Sequence, residues 1–239
     1  MKLFLLAVAL LACRAEEQTQ KQATGDRQQA TGDRRQNAPR PPPDAAPAGK
    51  PDDLVDIAAI DPTIQIEMRY ASERNFTKVK VYPVARCLLR RDAAERLARV
   101  QAHLRGDGLG LKLWDCYRPF SVQKKFWSLV SDERYVARPV EDAAGRPLKG
   151  SKHNRGAAVD LTLVDAGGDP LEMPTDHDDF SERAHRGSRS ATPAARGNAE
   201  RLERAMTAEG FEPLPTEWWH FDAPGWERYP LSDQPLDGN

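Results

Sequence analysis

From Arg14 to Lys50 the chain offers almost nothing large and apolar, so any hydrophobic core must be built from the residues that follow. Burial of apolar area drives folding, and a segment without it stays solvated. The remainder, about 190 residues, suffices for one domain with its own core. The polar segment repeats QATGDR at Gln22–Arg27 and Gln29–Arg34, with no apolar a and d positions for a coiled coil and too few copies for a solenoid. Pro39, Pro41, Pro42, Pro43 and Pro47 follow. Residues 13–50 therefore read as a disordered, proline-rich tether. As a flexible coil it would reach about 35 Å.

Ahead of the tether, Lys2 precedes an apolar run from Leu3 to Ala12 that stops at Cys13. A bilayer-spanning helix needs about 20 apolar residues, and this run is shorter. It fits the hydrophobic region of a signal peptide over residues 1–12. Leu10-Leu11-Ala12-Cys13 resembles a bacterial lipobox, which makes Cys13 the expected site of lipid attachment, with plain secretion as the alternative. Either reading exports the domain to the periplasm or cell envelope, and the only membrane contact implied is the N-terminal lipid. Cys87 and Cys116 then lie in an oxidising compartment, as a disulfide or as two buried thiols. Closing a loop of about 30 residues would contribute roughly 3 to 4 kcal/mol. The 35 basic and 36 acidic residues leave a net charge of −1, which argues against nucleic acid as a partner. No protein partner is implied.

The domain spans 51–239. Ile64, Ile66 and Met68 alternate with polar residues, as in a strand. Apolar residues at helical spacing predict a helix over 91–105, with Gly106 as its terminating glycine. Residues 109–115 read as a buried strand and 120–131 as a helix with Pro119 at its first turn. A strand over 157–164, a helix over 199–208 stopped by Gly210, and strands over 211–214 and 218–222 complete the pattern. Strands and helices mix without βαβ alternation, which makes the fold class α+β.

Two clusters carry chemistry. In Ser151-Lys152-His153-Asn154-Arg155-Gly156-Ala157-Ala158-Val159-Asp160, the charge of Asp160 stands on one face of an otherwise apolar strand. A buried carboxylate needs a cation or a metal. His153 falls on the opposite face of a continuous strand unless Gly156 turns the chain. Spacing alone equally admits a structural Asp and a surface His. Thr216-Glu217-Trp218-Trp219-His220-Phe221-Asp222 adds a Glu and a His among aromatics. Two imidazoles and one carboxylate form an open zinc set, with the fourth position left for water. Glu217 is then the base for that water. Arg118, in Trp114-Asp115-Cys116-Tyr117-Arg118-Pro119, ends a strand and suits a developing oxyanion. It equally suits a salt bridge to Asp115.

Together SKHNRGAAVDLTL, TEWWHFD and WDCYRPF resemble the zinc D-alanyl-D-alanine dipeptidases within the DD-peptidase and hedgehog-like superfamily (peptidase family M15). The pattern S-x-H-x-x-G-x-A-x-D is met by Ser151, His153, Gly156, Ala158 and Asp160, and E-x-W-H by Glu217, Trp219 and His220. The likeness runs from about Asp53 to Tyr229 and includes EMRYASERNF and MPTDHDDFSERAH. It implies a central antiparallel sheet flanked by helices and one Zn2+ on His153, Asp160 and His220. It also implies Glu217 as base and Arg118 at the tetrahedral intermediate. Asp178 would face the ammonium group of a small D,D-dipeptide, with Ser151 and Tyr70 lining the pocket. Pro174 and His177 depart from the family's frequent Gly and Phe. His177, His103 and His185 are read as loop or structural residues and not as ligands.

Other readings use the same residues differently. Ser121-Val122-Gln123-Lys124 matches S-x-x-K, but no S-D-N or K-T-G accompanies it. H-E-x-x-H is absent. A zinc carboxypeptidase acting on peptidoglycan stems would share the ligands and base. A non-catalytic zinc module for cell-wall binding would need neither Glu217 nor Arg118.

Overall fold

The computed structural model describes Lys50 and residues 53–237. The expected signal peptide, the lipid attachment at Cys13 and the tether up to residue 49 lie outside the described residues. In chain order the elements are β1 (Leu54–Asp56), α1 (Ile57–Ile60), β2 (Gln65–Ile66), β3 (Leu88–Arg90) and α2 (Arg91–Gly106). Next come β4 (Leu109–Asp115), α3 (Phe120–Leu129), β5 (Val140–Glu141), β6 (Pro147–Lys149) and β7 (Ala158–Asp165). The last three are α4 (Pro193–Ala208), β8 (Glu212–Pro213) and β9 (His220–Asp222).

Five strands form the central sheet in the order β2-β4-β7-β9-β8. Pairing is antiparallel from β4 to β8, and β2 joins the edge in parallel. The fold is thus α+β. Helix α2 packs on β4 and against α4, which also reaches β7 and β8. Leu97, Val100 and Leu104 of α2, Leu111 and Leu113 of β4, Leu161 and Leu163 of β7, and Leu202 and Met206 of α4 are all buried. At about 1.5 to 3 kcal/mol per fully buried large side chain, this layer supplies much of the driving force.

Three helix ends differ from the sequence expectation, and one of them is the end of α3, which comes at Leu129 instead of 131. Gly106 remains helical, and its successor Asp107 caps α2 through its backbone N–H. The left-handed glycine is Gly108, at φ 70°. Helix α4 starts well before 199. Thr192 accepts a hydrogen bond from the Ala195 N–H at 3.1 Å, and Pro193 occupies the first turn. Proline is favoured there because its missing N–H has no helical partner to lose.

The strand registers position the site. Asp115 of β4 is opposite Asp160 of β7, and Asp160 is opposite His220 of β9. Directly opposed residues of antiparallel strands project from the same face. One row across three strands therefore carries Asp115, Asp160 and His220. A register shift between Leu113 and Asp115 accommodates Trp114 just before that row. Cys87 and Cys116 form a disulfide that ties the chain before β3 to the chain after β4.

Candidate active site

His153 reaches this row from a short 3-10 turn, Lys152–Arg155, that precedes β7. The Ser151 hydroxyl accepts from the His153 N–H, and the Asn154 side chain accepts from the Ser151 N–H. This reciprocal cap fixes the turn's entry. Gly156 ends the turn at φ 69°, and a Cβ there would collide with Leu54. The left-handed step redirects the chain into β7, which brings His153 beside Asp160 despite their odd separation.

His153, Asp160 and His220 are all buried, and one ligand atom from each lies within 4.8 Å of the others. His220 Nδ1 is 2.9 Å from Asp160 Oδ1, and His153 Nε2 is 3.4 Å from the same oxygen. The outer ring nitrogens are engaged elsewhere. His153 Nδ1 is 2.8 Å from the Cys116 carbonyl oxygen, which only accepts. His220 Nε2 is 3.0 Å from Asp222 Oδ1, and Lys152 Nζ donates to Asp222 Oδ2 at 2.5 Å. Both imidazoles are therefore oriented with their remaining nitrogens inward, beside a carboxylate oxygen. This donor set, with its outer hydrogen bonds, fits a divalent metal.

The electrostatics agree. Burial opposes the Asp160 carboxylate, but the surrounding histidines hold its pKa well below the usual range. Burial likewise opposes charge on His220, yet its hydrogen bonds to Asp160 and Asp222 lift its pKa to about 10. Glu217 lies beside this group, with Oε2 3.9 Å from His220 Nδ1. Burial and the neighbouring carboxylates push its pKa up despite the nearby histidines. A carboxylate poised to take up a proton suits a general base.

Arg118 is buried, and its guanidinium donates to Asp115 Oδ2 at 2.6 Å and to Gln123 Oε1 at 2.7 Å. It thus makes the salt bridge considered from sequence and also lines the cavity. Its Cζ lies 4.6 Å from the Phe126 ring centre. Tyr70 donates its hydroxyl to Asp178 at 3.0 and 3.2 Å to the two oxygens. Burial raises the pKa of Asp178, against the pull of His177.

The structure brings all eight residues singled out for the pocket into one cavity of about 340 Å³: His153, Asp160, His220, Glu217, Arg118, Asp178, Ser151 and Tyr70. Phe76, Phe126, Tyr135 and Phe180 supply aromatic wall. That volume is near the small end for ligand sites, about 300 to 1,000 Å³. His103 pairs instead with Glu209, and His185 closes the turn Glu182–Ala184. His177 is outside the ligand trio but is not remote from it: its Nε2 is 3.2 Å from Asp160 Oδ2.

Four supporting residues surround the site; sequence reasoning named only Asp115, as a partner for Arg118, and missed Asp222, Asn154 and Gln123. Asp115 accepts from Tyr82, from the Cys116 N–H and from Arg118. Asp222 orients His220, Asn154 donates to the Arg118 carbonyl at 2.9 Å, and Gln123 holds the guanidinium. Asp222 alone had a readable signal, since strand alternation puts it on the same face as His220.

Comparison with known proteins places this arrangement among relatives. Residues 50–236 match the peptidase M15 family model, described as D-ala-D-ala dipeptidase. The chain is 40% identical over 179 residues to a D-alanyl-D-alanine dipeptidase of Escherichia coli K12, covering 75% of this chain and 89% of that protein. It is 31% identical over 171 residues to a D-alanyl-D-alanine dipeptidase of Enterococcus faecalis, covering 66% of this chain and 85% of that protein. A protein of the same name from Streptomyces coelicolor is 33% identical over 171 residues, covering 66% and 85%.

Proposed function

Because the chain belongs to the peptidase M15 family of D-ala-D-ala dipeptidases, we propose that it hydrolyses D-alanyl-D-alanine to two D-alanines at a zinc ion held by His153, Asp160 and His220. The observation that carries this reading is the convergence of two inward imidazole nitrogens and a carboxylate, with Glu217 beside them and Asp178 in the same cavity. When bound, zinc would acidify water and polarise the scissile carbonyl.

The chain's own groups do the rest. Glu217 takes a proton from the attacking water and delivers it to the leaving amine as the C–N bond breaks. Its raised pKa suits both transfers. Arg118 presents fixed positive charge to the oxyanion that develops, and its bonds to Asp115 and Gln123 hold it in place beforehand. Asp178, steadied by Tyr70, receives the substrate's ammonium group. The aromatic wall offers an apolar surface to small side chains.

Export and lipid attachment at Cys13 complete the proposal. Support comes from the apolar run Leu3–Ala12 and from the Cys87–Cys116 bond, which suits an oxidising compartment.

The test is cleavage of D-alanyl-D-alanine and of a stem pentapeptide, each with and without a chelator. Chelator-sensitive cleavage of the dipeptide supports the reading. Cleavage of the pentapeptide alone would reassign the chain to carboxypeptidase activity.

A further inference from the structure

His177 belongs to a stretch without regular secondary structure, yet it is only 7% exposed. Its ring rests against Trp114, Trp219 and Tyr70, with centres 5.1, 5.5 and 5.9 Å away. The loop around it is anchored by the Trp218 indole N–H, which donates to Thr175 Oγ1 at 2.9 Å. Both ring nitrogens face carboxylates. Nε2 is 3.2 Å from Asp160 Oδ2, and Nδ1 is 3.4 Å from Asp178 Oδ2.

The two oxygens of Asp160 are thereby divided. Oδ1 faces His153 and His220, while Oδ2 is held by His177. A ligand carboxylate fixed in this way keeps one oxygen directed at the metal. The Asp178 carboxylate is held between Tyr70 and the same imidazole, on backbone at φ 63°. One rigid ring therefore sets the spacing between the metal ligand and the amine-binding acid.

We propose that His177 is a positioning residue that couples Asp160 to Asp178, so that the reacting carbonyl and the substrate's ammonium group are held at a fixed separation. The roles of Asp160 and Asp178 rest on the proposed function above; the bridge between them rests on the contacts of His177. Hydrolysis needs that separation to match a dipeptide, because misplacing reacting groups by about 1 Å costs on the order of a hundredfold in rate.

Three substitutions separate the two halves of the bridge. His177→Phe keeps an aromatic ring among Trp114, Trp219 and Tyr70 and removes both nitrogens. His177→Gln places an amide near the Nε2 position, toward Asp160. His177→Asn places one near Nδ1, toward Asp178. Zinc affinity is measured by competition with a chromophoric chelator, kcat and KM with D-alanyl-D-alanine, and folding by circular dichroism. His177→Phe is expected to fold, to bind zinc roughly tenfold more weakly and to show a raised KM. His177→Gln should recover zinc affinity but not KM, and His177→Asn the reverse. Wild-type zinc affinity and KM in His177→Phe would overturn the proposal. So would equal impairment of both quantities in all three variants, which is the signature of packing alone. Wild-type protein that binds zinc without cleaving the dipeptide would instead reject the proposed function, and the zinc affinities of the variants would still decide for or against the bridge to Asp160.

Discussion

His153 Nε2 and His220 Nδ1 lie 3.2 Å apart. The Cys116 carbonyl and the Asp222 carboxylate claim the protons on the opposite side of each ring. Two neutral imidazoles so oriented would aim lone pairs at one another. Either a proton or a metal must occupy the space between them. Asp160 Oδ1, 2.9 Å from His220 Nδ1, contributes the negative charge that stabilises either one.

In the metal-free protein that position belongs to a proton on His220, whose pKa is lifted to about 10 by Asp160 and Asp222 in spite of burial. At pH 8 the proton is held, so metal binding must displace it. Calorimetric titration with Zn2+ in buffers of different ionisation enthalpy should show release of about one proton per metal bound. Acidification should correspondingly weaken binding. Proton-independent binding would mean that His220 is already neutral.

Glu217 is outside the ligand trio, so removing its carboxylate should spare the metal. Glu217→Gln is expected to retain wild-type zinc content while kcat falls by about 10² to 10⁴. Metal analysis alongside steady-state kinetics checks both halves. Loss of zinc in the variant would make Glu217 a ligand.

Arg118, the proposed oxyanion partner, also bears on stability, because Asp115, fully buried, is its ion-pair partner. Arg118→Ala leaves that carboxylate with Tyr82, the Cys116 N–H and His153 Nδ1, the last 3.5 Å away. Stability should fall by roughly 3 kcal/mol, read by urea denaturation, and kcat by at least about a hundredfold. Arg118→Lys keeps a charge but not the fork that reaches both Asp115 and Gln123. Its stability and kcat should fall between those of the wild type and Arg118→Ala.

The Cys87–Cys116 bond closes a loop with a sequence separation of 29. Replacing both cysteines by serine should cost about 3.5 kcal/mol by the chain-entropy relation. The fraction that stays folded should keep its activity, because Cys116 meets the site through its backbone carbonyl and N–H, which serine retains. A thermal melt and a specific-activity measurement below the transition separate the two effects.

Legibility in the sequence followed the range of the interactions. Strand β4 matched its expected limits of 109 and 115, since a continuous apolar run reports directly on burial. The convergence of His153, Asp160 and His220 was readable because Gly156 and the aromatic setting of His220 are local signals. Asp115 was read only as a partner for Arg118, and Asp222 was not singled out, because their place in the site comes from strand register, which pairs Asp115 with Asp160 and sets Ala158 opposite Asp222. His177 looked like a loop residue because no element periodicity surrounds it. Only the packing of Trp114 and Trp219 around its ring reveals its burial. The start of α4 was missed although Thr192-Pro193 is a cap signal, because Gly197 interrupts the helical pattern.

One zinc ion at His153, Asp160 and His220 is proposed to support hydrolysis of D-alanyl-D-alanine. The direct measurement strips the protein of metal and follows D-alanine release as Zn2+ is added back. Activity should be absent at the start, rise in proportion to zinc and level off at one ion per chain, and His153→Ala should show no such rise. Undiminished hydrolysis after metal removal, or a chain holding one zinc at these residues without releasing D-alanine, would contradict the account.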